Sequence, residues 1–354
     1  MKATLIFVSL FFLFSCSKLT SESQLNKIID SYENYKSEGD DSPLGQYTES
    51  RFEEYASFCD SLKTALKSIN IEKLSEDSQI SYKLLNFVLN ETTVKYKFKT
   101  HWNPILSDGG FHLSLTFRVR PLTDKKSAIK YLKLLKAIPN YINQQQVLIK
   151  KGLDSGMGQP LVIFKGYEST YNLHITKSAE ENFYYSPFLK LPLPLSKEDK
   201  DSLQLAARDI VNNEVIPAFK TVKEFFETTY YPNTRKTIGV SQTPNGKDYY
   251  QSRIDFYTTQ SNESAESIHE KGLQEVSRIK KEMKLIVKRL GYKGSLKSFI
   301  KFLRTDPQFY PKTADELLKH ARNIAKKLDE QLPRFFKTLP RKPYGVAPVP
   351  DAIA

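Results

Sequence analysis

The chain holds five histidines, and zinc chemistry is the first possibility they raise. A zinc-peptidase helix sets two histidines four residues apart, so both imidazoles share one face, with a glutamate beside the first to activate water. His269-Glu270 is the one His-Glu pair, but position 273 is Leu. His101, His112, His174 and His320 are likewise not followed by a second His one turn later. Two readings of His269 stand. It is either a polar residue satisfied near a helix start or a substrate-facing residue on a cleft wall. No Gly-x-Ser-x-Gly elbow is present to expose a nucleophilic serine. The glycine-rich run from Gly152 to Gly158 continues into Gln159-Pro160 rather than Gly-Lys-Ser/Thr, so it reads as a turn and not as a phosphate cradle.

The elements that must position these groups are mostly helices. Around His269, the apolar residues Ile268, Val276, Ile279, Met283, Ile286, Val287 and Leu290 recur every three or four positions, which predicts one long helix. Ser261, Asn262 and Ser264 offer capping oxygens, and Gly291 is placed to end the helix. Just before it, Arg253 to Thr258 alternates polar and apolar residues and is expected to be a short strand. Upstream, helical periods predict helices over residues 24–32, 49–68 and 78–94. Phe111 to Val119 fits a strand or a helix equally well. Residues 124–151 predict a helix bent at Pro139, and Leu161 to Phe164 a short strand. Pro187 to Pro194 reads as a linker or surface arm, followed by a helix from Lys197 to Thr229 with Pro217 inside it. Further helices are expected over 295–303 and 313–332, and then an extended, proline-rich end. The fold class is therefore mainly α, a large multi-helix body with a few short strands.

The first residues read as a targeting segment. Lys2 precedes a nearly unbroken apolar run from Leu5 to Phe14, too short to span a bilayer. Leu13-Phe14-Ser15-Cys16 resembles a bacterial lipobox, which makes residues 1–15 a signal peptide, Cys16 the lipidated residue and 16–23 a tether. Several acyl chains anchor durably, where one anchors only marginally. Cys59 is the sole other cysteine, so with Cys16 acylated no disulfide can form within one chain. Cys59 shares an apolar helical face with Phe52, Tyr55, Leu62 and Leu66 and reads as a buried thiol. Residues 24–354 form the helical body, with a sub-boundary near 232–247. The formal charge of +13 comes from 53 basic and 40 acidic residues spread over helix faces. No basic run is interleaved with aromatics in a nucleic-acid pattern, so nucleic acid is not an expected partner. A secondary attraction to anionic headgroups fits a body held near a membrane.

Several segments together resemble one family. They are Ile138-Pro139-Asn140-Tyr141-Ile142 with Lys151-Gly152; Gly246-Lys247-Asp248-Tyr249-Tyr250 with Tyr257-Thr258-Thr259 and Ile268-His269-Glu270-Lys271-Gly272; and Asp306-Pro307, Leu332-Pro333, Leu339-Pro340 with Val346-Ala347-Pro348. In order and spacing they resemble the bacterial domain-of-unknown-function 885 family, similar to gluzincin-type zinc peptidases with a helical, two-lobed fold. The resemblance implies that this chain corresponds to the N-terminal part of such an enzyme. The family's His-Glu-x-x-His site lies beyond the matching segments, so no catalytic residue, metal ligand or cofactor is expected here, and zinc only in the full-length family. Tyr249, Tyr250 and His269 are the matching residues expected to line a substrate cleft. The expected function is a lipid-anchored, cell-envelope protein resembling a metallopeptidase front part and inactive alone. Its partners would be the membrane, a peptide, and a C-terminal zinc-bearing polypeptide. The alternative is a non-enzymatic lipoprotein binding peptide or glycan, which 20 Tyr and 22 Phe would suit.

Overall fold

The computed structural model describes residues 20–37, 42–106, 109–192, 194–260 and 262–349. The signal segment and Cys16 lie outside the described residues. The chain divides into two compact units, residues 1–252 and 253–354.

The first unit opens with three helices, α1 Ser21–Ser37, α2 Glu49–Lys67 and α3 Glu76–Lys97. Their starts follow capping chemistry. Thr48 accepts from the Arg51 N–H and Ser75 from the Ser78 N–H, each satisfying an orphan donor of the first turn. Leu25, Tyr32, Cys59, Leu62, Leu66, Leu85 and Leu89 close one core between the three helices. Cys59 is fully buried there, as its helical face predicts.

A second, larger core is built on α4, Lys125–Asp154, capped by a reciprocal Asp124–Ser127 pair. Pro139 lies inside α4, which continues past it. Short α5 Ser169–Asn172 and α6 Ser186–Leu189, with several 3₁₀ turns, bring Phe164, Tyr167, Tyr171, Tyr184 and Phe188 inward. The helical run expected over Lys197 to Thr229 is present but not uniform. It comprises α7 Lys197–Ile210, a π-helical stretch Val211–Val215, α8 Ile216–Glu224 and a second π-helical stretch Phe225–Tyr230. Pro217 has no N–H for the ladder, and the helix widens just before it. The one sheet among the described residues pairs β1 Ile105–Leu106 with β2 Gly109–Gly110.

Two expectations are corrected. Arg253 to Thr258 is not a strand but the end of a helix, α9 Gly246–Thr258. Thr258 donates its hydroxyl to the Ile254 carbonyl four residues back, a helical contact. Four β-prone residues, Ile254, Phe256, Tyr257 and Thr258, carry too short a period to override the helix that starts upstream. Leu161–Phe164 is a 3₁₀ turn rather than a strand, and Phe111 to Val119 resolves as a 3₁₀ segment, Leu113–Arg118.

The second unit contains α10 Ala265–Arg289, α11 Leu296–Thr305 and α12 Ala314–Phe335. The N-cap of α10 is Ser264, which accepts from the Ser267 N–H while Ser267 Oγ accepts from the Ser264 N–H. Gly291 follows the last turn at φ 67°, a conformation that glycine adopts without strain. The apolar period is real, yet only Ile254 and Val287 are buried among the described residues of this unit. Val276, Ile279, Met283, Ile324, Leu328 and Phe336 all remain exposed. Arg322 and Asp329 of α12 hold the extended end through the Val346 carbonyl (3.1 Å) and the Tyr344 hydroxyl (3.1 Å).

Candidate functional site

The first unit carries a cleft of about 520 Å³ where three stretches distant in sequence converge. The first is the end of α3 and the turn after it. Lys97 closes the helix, Phe98 caps it, and Lys99 enters the left-handed region (φ 52°) to turn the chain into Thr100–Trp102. The second is the exit of α4, through Ser155, Met157 and Gln159. The third runs from Arg235 to Tyr249 at the start of α9.

Each stretch is pinned by a specific contact. Gly152, in the last turn of α4, lets the Trp102 backbone lie directly on the helix, since a Cβ there would collide with the Trp102 carbonyl oxygen. The Gln159 N–H donates to the buried Tyr230 hydroxyl at 2.8 Å. Arg235 donates to the carbonyls of Gly158 (2.8 Å), Ile238 (3.1 Å) and Gly239 (3.0 Å), folding its own loop around the guanidinium. Phe98 meets Tyr249 edge to face, with centroids 5.6 Å apart and planes at 61°.

Beneath the first wall sits an ionic hub. Glu49, the first residue of α2, accepts from Trp102 Nε1 (2.5 Å) and Lys99 Nζ (3.0 Å), and is bonded to His101 Nε2 (3.2 Å). Lys151 Nζ of α4 lies 3.9 Å away. Partial burial would raise the Glu49 pKa, but the bonds from Trp102, Lys99 and His101 outweigh it and hold the carboxyl at about 2. Glu49 is therefore a fixed anion at neutral pH. Lys99 also lies over the Tyr96 ring, 3.7 Å from its centroid. His101 stacks on Phe52 and Tyr96, and its burial lowers its pKa despite Glu49.

The cleft presents aromatic and cationic chemistry, with no carboxylate or imidazole among its described lining residues. Lys97, Lys99 and Arg235 line it, and among the described residues no Asp, Glu or His does. The Ser155, Thr100 and Thr243 hydroxyls line it without a histidine or carboxylate among the other described lining groups. Among the described residues no group of three or more His, Cys, Asp and Glu could hold a metal ion.

Of the three residues that the sequence put forward, Tyr249 lines the cleft. Tyr250, its neighbour on α9, is 47% exposed and is not among the lining residues. His269 is exposed in the first turns of α10, in the second unit. Sequence reasoning missed Lys97, Phe98, Trp102, Arg235 and Glu49. The lone tryptophan beside a Pro and two Gly residues was a usable signal. The Glu49 hub was not, because its partners lie 50 to 53 residues away.

Fold and site together define a mainly α protein with an electropositive, aromatic cleft. The chain belongs to a family of bacterial proteins of unknown function, DUF885, whose profile matches residues 32–354. Two solved structures share the fold. One, described as a "putative lipoprotein" from Colwellia psychrerythraea, superposes with a TM-score of 0.73 at 19% identity, over 91% of this chain and 61% of that one. The other, described as a "putative lipoprotein of unknown function" from Shewanella oneidensis, gives a TM-score of 0.54 at 14% identity, over 94% of this chain and 61% of that one. This chain thus spans about three fifths of the length of either structure. No curated protein matches it.

Proposed function

We propose that this chain is the peptide-binding part of a lipid-anchored bacterial envelope protein of the zinc-peptidase type, and that it cleaves nothing by itself. The observation that carries the reading is the cleft. Its walls offer Phe98, Trp102 and Tyr249 for apolar side chains, while its described lining residues include no carboxylate or imidazole to serve as the base of a hydrolytic site. The sequence holds no histidine pair one helical turn apart, so hydrolysis would need a zinc-bearing polypeptide that supplies both the metal site and the base. Lipid anchoring is supported by the Leu13-Phe14-Ser15-Cys16 motif and by the description of both fold neighbours as putative lipoproteins. The edge-to-face setting of Phe98 and Tyr249 favours peptide over glycan, because it shapes pockets rather than a flat platform for sugar rings.

Trp102 is the only tryptophan, so its fluorescence reports on the cleft directly. Short peptides with one large apolar side chain should shift its emission saturably, and the same peptides should stay intact over hours with zinc added. In cells, Cys16→Ser should move the protein out of the membrane fraction. Zinc-dependent cleavage by the purified chain, or no emission change with any peptide, would refute the proposal.

A further inference from the structure

We infer that the cleft selects peptides that carry a carboxylate, an inference that rests on the peptide-binding reading. The lining is one-sided in charge. It contains three cations, Lys97, Lys99 and Arg235, and no carboxylate among the described residues. The three cations are not equivalent. Lys99 is neutralised by Glu49 at 3.0 Å. Arg235 spends four of its five guanidinium N–H donors on loop carbonyls and has no carboxylate partner among the described residues, so it acts mainly as a fixed charge. Lys97 is exposed, forms no ion pair among the described residues, and holds its ammonium 5.0 Å from the Phe98 ring centroid. Lys97 is therefore the group with free donors, and Arg235 adds to the field. Clefts lined by one sign of charge concentrate ligands of the other sign. An ammonium beside an aromatic wall places the ligand's anionic group next to its apolar side chain, which matches an acidic residue adjacent to an aromatic or aliphatic one.

The test uses three probes on the purified chain, read by Trp102 fluorescence: the capped peptide acetyl-Ala-Phe-Glu-Ala-amide, its Glu-to-Gln analogue, and hexagalacturonate as an anionic glycan. The acidic peptide should bind about tenfold more tightly than the Gln analogue, with the gap narrowing in about 0.5 M NaCl. Lys97→Gln should remove most of that gap, read as the ratio of the two peptides' affinities within the same variant. Equal binding of the two peptides overturns the inference and leaves the peptide-binding reading in place. Tighter binding of hexagalacturonate than of either peptide overturns it in favour of a glycan. Failure of both peptides to bind overturns the inference and the reading beneath it.

Discussion

Two buried histidines should make this protein acid-labile at a pH where its carboxylates are still ionised. His112 is fully buried among the rings of Phe111, Tyr167 and Phe226. Its Nε2 lies 2.8 Å from Thr170 Oγ1, and the Thr170 hydroxyl gives its own proton to the Tyr167 carbonyl at 2.6 Å. The Thr170 oxygen must therefore accept, which fixes His112 as the Nε2–H tautomer. A second proton would have to go to Nδ1, which has no partner among the described residues. His174 is equally enclosed, 4.6 Å from Phe219, and its Nδ1 also lacks a partner. Burial, with a smaller repulsion from His174, pushes His112 down to about 3, and burial pushes His174 down to about 4, from an ordinary 6.5. Both folded values lie below the unfolded one, so the unfolded chain binds more protons between them. Stability is then complete above pH 6.5 and falls as pH drops towards 4 and then 3. A pH of 5.0 lies about 1.5 units below the unfolded value and above both folded values, so at ~1.4 kcal/mol per unit for each group the loss is about 4 kcal/mol. That is a large share of the ~5–15 kcal/mol typical of a folded domain. Glu49 begins to contribute only below its ordinary 4.5, so at pH 5.0 the histidines dominate, and His101, which burial also lowers, adds to the loss in the same direction. Urea unfolding followed by Trp102 fluorescence, which reports on the first unit, should show this loss between pH 7.5 and 5.0. His112→Asn should make the slope against pH shallower, leaving the share that His174 and His101 carry. Stabilities at the two pH values within about 1 kcal/mol of each other would refute the burial argument.

Three further substitutions test the ionic hub and the backbone. Glu49→Gln keeps the shape but removes the anion that accepts from Trp102, Lys99 and His101, so unfolding free energy should fall by about 2–3 kcal/mol and Trp102 emission should shift to the red. Unchanged emission would mean that Glu49 does not hold the indole. Gly152→Ala should destabilise by about 1–3 kcal/mol, because the Trp102 carbonyl must move. Gly272→Ala, on α10 with open space around it, should instead stabilise the helix by about 0.5–1 kcal/mol. Thermal melts of the two variants moving in the same direction would contradict this reading of the backbone.

The contrast between α10 and the cleft explains what could be read in advance. The period, the serine cap and the Gly291 stop of α10 are local, set within one or two turns, and each matches the sequence. The same holds for Cys59, whose burial follows from residues three, four and seven positions away on one helix. The β-prone side chains within 253–258 suggest a strand only when taken without the helix start at Gly246, which carries α9 through them. The cleft has no local signature at all. Lys97, Met157 and Arg235 meet only through contacts such as Gly152 on Trp102 and Gln159 on Tyr230, which join residues 50 to 71 positions apart.

A period also states that a helix has an apolar face without stating what covers it. In the first unit the apolar faces of α2 and α4 are buried within the unit, and Leu66 and Leu135 are fully enclosed. In the second unit the same pattern is left open, with Ile324 and Leu328 both more than half exposed. Apolar stripes of that size are stable in water only when something packs on them. The second unit therefore presents an open apolar surface among its described residues, which the local period alone does not reveal.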